Sequence, residues 1–119
     1  MNMPNRELTI KFKDRSYVIE FPNTGKFIDI SIYKANVTRD AYSGILLSNS
    51  SDDVYARFLI DMTAFFNICC PELIKDLQVK ISDLNMNDSK LLMNVYLKKV
   101  LPWQQEWTAF INQPIEDEE

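Results

Sequence analysis

Histidine is missing from this chain, and glycine, cysteine and tryptophan occur only twice each. Each scarcity narrows what the protein can do. Histidine is the usual general acid–base at neutral pH, so its absence removes the commonest proton-transfer device. With no histidine and two cysteines, a zinc site of ordinary ligand set has nothing to complete it. Two glycines are too few for an all-β fold with many tight turns, and they form no phosphate-cradling loop. No hydrophobic run approaches the ~20 residues of a membrane span. The opening residues MNMPNRELT hold no apolar signal core, so secretion is not expected.

Positive charge is also in short supply. The net charge is −4, and it comes from Glu116, Asp117, Glu118 and Glu119 at the chain end. Without them the remaining 13 acidic residues balance the 13 basic ones. A neutral body does not offer the basic face that displaces counterions from nucleic acid. Lys11, Lys13 and Arg15 form a small basic cluster that could touch phosphate, but a solvated hairpin end is the better reading of it. The expectation is a chain without nucleic-acid or membrane partners and without a cofactor.

What the chain does contain is apolar periodicity. At 119 residues and 46% hydrophobic composition it is long enough for one core. Residues 51–71, SDDVYARFLIDMTAFFNICCP, organise the rest. Val54, Tyr55, Phe58, Leu59, Met62, Phe65, Phe66 and Cys69 recur at steps of three and four, one broad stripe of a helix. Ser51 or Asp52 is placed to cap it, and the acids Asp52 and Asp53 suit the positive end of its dipole. Asp61 interrupts the stripe, and its expected partner is Arg57, one turn earlier.

Upstream, Leu8, Ile10 and Phe12 alternate with polar residues, as do Tyr17, Ile19 and Phe21. Period-two alternation across a polar break at 13–15 predicts a β-hairpin over 8–12 and 16–21, ended by Pro22. Its turn type stays open, because Asn-Gly and Asp-Gly are missing. Residues 25–36 fit a third strand through Ile28, Ile30 and Ile32. They also fit a helix, and the cap signals Asn23 and Thr24 favour the helix. A short helix is expected over 41–47, with a mobile polar loop over 48–51. Pro71 either ends the long helix or starts a short one over 72–77. Asp88 or Ser89 is expected to cap a last helix striped by Leu91, Leu92, Val95, Tyr96 and Leu101, which Pro102 kinks or restarts. The fold class is therefore α+β, an N-terminal β-hairpin followed by a mainly helical domain of four or five helices. Residues 1–113 are expected to form one globular domain, and 114–119 a disordered acidic tail.

Few residues offer chemistry. Cys69 and Cys70 are neighbours that seldom bridge each other, and both suit reduced core positions. Neither Asp52–Asp53 nor the acidic end has the spacing of a calcium loop. Trp103 and Trp107, continued by Phe110, lie four apart on a helix flanked by polar residues. They either close the core or anchor a partner, because tryptophan is enriched at interface hot spots. Trp103, Trp107, Phe110, Glu116, Asp117, Glu118 and Glu119 are therefore the candidate partner-binding residues, with the acids steering a basic partner.

The order of segments ELTIKFKDRSYVIEFP, NTGKFIDISIYKAN and LIDMTAFFNICCPELIKDL resembles the small assembly proteins of tailed bacteriophages, in particular tail assembly chaperones. The resemblance spans roughly residues 7–77 and rests on overall pattern. It implies a non-enzymatic role in virion assembly, with phage tail or other virion proteins as partners, in the host cytoplasm. Such proteins are thought to cover the apolar helices of a tape-measure protein and keep it soluble. Met62, Met86 and Met93 are then either core fillers or adaptable contacts. The alternatives are a permanent virion component such as a connector, ring or internal protein, or an acidic inhibitor of a host enzyme. The chain is also a candidate for homo-oligomer formation.

Overall fold

The computed structural model describes residues 3–38 and 51–114, apart from the side chains of Ser51 and Asp52. The helix expected over 41–47, the loop at 48–50, the capping side chains of Ser51 and Asp52 and the acids 116–119 lie outside the described residues.

The chain is α+β, as its pattern predicts. Strands β1 (Glu7–Phe12) and β2 (Arg15–Glu20) form an antiparallel hairpin. Ile10 stands opposite Tyr17 and Leu8 opposite Ile19, so the alternating apolar residues share one face. Ile10, Phe12, Tyr17 and Ile19 are buried on that face, while Val18 points outward. The two-residue loop is Lys13–Asp14, with φ of 48° and 50°. Two left-handed residues in a two-residue loop are the signature of a type I′ turn, whose twist matches that of the strands.

Helix α1 (Thr24–Thr38) settles the ambiguity over 25–36. The Asn23 Oδ1 accepts the Lys26 N–H at 2.9 Å, which satisfies one orphan donor of the first turn. Helix α2 (Ser51–Cys69) is the organising helix, with Met62, Phe65 and Phe66 at its centre and almost no exposed surface. Helix α3 (Pro71–Leu77) starts on Pro71, whose missing N–H costs nothing at that position. A 3-10 turn (Ile81–Asp83) follows.

The last helix, α4, joins three stretches of right-handed helical backbone: Met86–Val95, a π turn Tyr96–Val100, and Leu101–Ile111. Its cap corrects the expectation. Asn85, not Asp88 or Ser89, precedes the helix and accepts the Asp88 N–H at 2.8 Å. Pro102 lies inside α4. The Leu101 N–H bonds the Tyr96 carbonyl, five residues back, so the widened turn precedes the proline ring and the helix continues through it. The buried stripe of α4 is Leu92, Met93, Tyr96, Val100, Trp103 and Trp107. Leu91, expected in the core, is exposed, because neighbouring positions on a helix point about 100° apart. The described residues thus hold a hairpin and four helices, sharing one core.

Candidate protein-binding surface

The two indoles belong to the core. Trp103 and Trp107 retain only 5% and 9% of their surface. Both Nε1–H groups donate to the Asn5 carbonyl, at 2.7 and 2.9 Å. Phe21 stacks on Trp107 with ring centres 4.4 Å apart and meets Trp103 edge-on at 5.4 Å. The half-buried Phe110 closes this cluster edge-on against Trp107. Their place is the core-closing one of the two alternatives, and the indole rings are not exposed anchors.

Several polar groups singled out in the sequence are tied up within the fold. Asp61 pairs with Lys34 across α1 and α2 at 2.9 Å, which corrects the expected partner Arg57. The Arg57 guanidinium lies over the Phe58 ring instead. Of the basic cluster, Lys13 pairs with Asp88 at 2.8 Å and Arg15 with Asp76, while Lys11 is exposed. These pairs knit the hairpin turn to α3 and to the start of α4. Tyr17 joins them by donating its hydroxyl to Asp76 at 2.7 Å. Burial, then the Asp76 hydrogen bond, push its phenol up to about 12.

Cys69 and Cys70 are free and buried. Burial pushes the Cys69 thiol up to about 11 and raises that of Cys70. Both are therefore neutral thiols at physiological pH, the poor-nucleophile state. Among the described residues no group of three or more Cys, Asp or Glu is placed to hold a metal ion, and no helix is long and apolar enough to cross a membrane.

A cleft of about 310 Å³ opens between α1, α2 and the second half of α4. The Lys34–Asp61 pair lies on one wall, and the Tyr96 hydroxyl donates to Gln104 Oε1 at 3.1 Å on another. Burial, then the Asp61 charge, raise the Tyr96 pKa, so the phenol stays protonated. This is a set of mutually satisfied groups that position helices.

Exposed apolar side chains occur on α1, at Phe27, Ile28 and Ile32, and along two further grooves. Between α2 and the first half of α4 runs a groove of about 720 Å³, lined by Tyr55, Met86, Lys90, Leu91 and Leu97, with the buried Met93 as its floor. Met86 is 71% exposed and also borders a second groove, about 380 Å³, that passes Tyr33, Val37 and Leu59 between α1 and α2. Tyr55 is 45% exposed, so the stripe of α2 leaves the core at its N-terminal end. Of the three methionines weighed from the sequence, Met62 and Met93 fill the core and Met86 stands in solvent. The sequence carried only a weak signal for this surface: Leu91, Leu92 and Met93 are consecutive, and three successive helix positions span too wide an arc to share one buried face.

No protein-family model, curated protein or solved structure matches this chain.

Proposed function

We propose that this chain is a non-enzymatic protein-binding module acting in bacteriophage virion assembly, as a tail assembly chaperone that covers apolar helices of a tape-measure protein. The observation that carries the protein-binding part is the pair of apolar grooves meeting at Met86. A groove between two helices with a flexible thioether at its junction suits an amphipathic helix laid along it. Contiguous exposed apolar surface of this kind marks interaction sites in water-soluble folds. The phage assignment rests on the resemblance in segment order described above.

The test is affinity capture of the tagged chain from phage-infected cells, with mass spectrometry of the capture and of purified virions. Recovery of a tape-measure or tail-tube protein, with the chain absent from virions, supports the proposal. Abundance of the chain in virions would make it a permanent structural part, and recovery of a host enzyme alone would overturn the assembly role.

A further inference from the structure

We infer that the groove between α2 and the first half of α4 receives an amphipathic helix whose apolar stripe is flanked by carboxylates. The inference rests on the protein-binding reading and names the chemistry of the partner.

Two properties of the groove carry it. The first is its shape and lining. Met86, Lys90, Asn94 and Leu97 follow one another at steps of four, four and three along α4, so the groove wall is about three helical turns long. Leu91 and Leu97 are 46% and 38% exposed, and Tyr55 stands across from them on α2. Met86, Leu91 and Leu97 are the apolar contacts along this wall, with Lys90 and Asn94 between them, and a wall of that length suits the apolar stripe of a docked helix.

The second property is the sign of the charge. Between Ser89 and Gln105 the only charged residues of α4 are Lys90, Lys98 and Lys99. All three are exposed. None pairs with a carboxylate among the described residues. Lys90 lines the groove, and Lys98 follows Asn94 by one turn. The nearest acid on α4, Asp88, is already held by Lys13. The wall that α4 presents thus carries one lining charge, Lys90, among mainly apolar contacts, with Lys98 one turn beyond Asn94 at its rim. Carboxylates flanking the partner's stripe would meet that rim, whereas lysines would meet like charge. A second copy docking the same wall would also bring cation against cation.

The experiment is a fluorescence-anisotropy titration of the full chain with two labelled synthetic helices. Both carry leucines at heptad a and d positions; one has flanking glutamates and the other flanking lysines. The glutamate helix is expected to bind and the lysine helix to bind about tenfold more weakly or not at all, with the difference shrinking as salt is raised. Leu91→Asp is expected to weaken the glutamate helix about thirtyfold or more, the size of a hot-spot loss. Lys90→Glu is expected to narrow the preference between the two helices. Val18→Asp, at an exposed position on the hairpin, should leave both titrations unchanged, and circular dichroism verifies that each variant is folded. Equal binding of the two helices, no binding of either, or insensitivity to Leu91→Asp would overturn the inference. So would a self-association in sedimentation that Leu91→Asp abolishes, since the occupant would then be a second copy. A capture that still returns a virion protein, together with any of these results, would leave the protein-binding role standing and remove this groove from it.

Discussion

Trp103 and Trp107 share one acceptor: both indole N–H groups converge on the carbonyl oxygen of Asn5. A carbonyl has two lone pairs, so one backbone atom satisfies both buried donors. This ties the segment before β1 to the last turns of α4. Removing residues 1–5 would leave two buried indole donors without their partner, at about 1–3 kcal/mol each. Urea unfolding of the truncated chain should show a lower midpoint, by about 2 kcal/mol or more in stability. The two indole N–H signals should exchange with solvent faster than in the full chain. Unchanged exchange would show that the Asn5 carbonyl does not protect them.

The Tyr17–Asp76 bond makes a prediction about alkaline stability. The phenol of Tyr17 is raised from the ordinary value near 10 to about 12 in the folded state. A raised folded pKa favours the protonated group, so its contribution is complete below pH ~10 and fades as pH rises through about 12. Wild-type stability should therefore fall over that window more steeply than that of Tyr17→Phe. At neutral pH Tyr17→Phe should cost about 1.5–3 kcal/mol, the worth of a hydrogen bond to a charged acceptor. Ultraviolet titration of the phenols should show Tyr17 and Tyr96 ionising last.

Lys34 and Asp61 couple α1 to α2. A double-mutant cycle between Lys34→Met and Asp61→Asn should return about 1 kcal/mol, because both groups are partly withdrawn from solvent. The same cycle between Arg57→Ala and Asp61→Asn should return no more than a few tenths. The opposite ranking would mean that the i,i+4 pair prevails in solution.

The adjacent cysteines should be slow toward thiol reagents. Burial holds both as neutral thiols. Ellman's reagent should leave them largely unmodified in buffer and react with both in denaturant. Rapid reaction of either in the native state would contradict their place in the core.

The pattern of the chain was most legible where one periodicity acts alone. Ile10 and Phe12 alternate cleanly, and so do Tyr17 and Ile19, so the hairpin could be read directly. Its turn could not, because Lys13 and Asp14 adopt positive φ without the glycine that announces it. Residues 25–36 looked ambiguous for a physical reason. Ile30 packs against the core, whereas Ile28 and Ile32 are more than half exposed, so apolar side chains occupy two sides of α1. Capping by Asn23 was the more reliable sign. For α4 the error lay in phase: the buried stripe starts at Leu92 and runs through Tyr96, Val100, Trp103 and Trp107, so counting steps from Leu91 misses it. The candidate site was less legible still. Tryptophans rank high as anchors in a sequence, but nothing local to 103–107 shows that Asn5 waits for them from the other end of the chain. Asp61 likewise chose a partner on a neighbouring helix, which sequence spacing cannot reveal.

The central claim is that partners meet the groove at Leu91 and not the indole cluster. The most direct measurement is a side-by-side capture from phage-infected cells with the wild-type chain, Leu91→Asp and Val18→Asp, quantified by mass spectrometry. The account predicts that the virion protein recovered with the wild type and with Val18→Asp is lost with folded Leu91→Asp. Undiminished recovery with Leu91→Asp would contradict it.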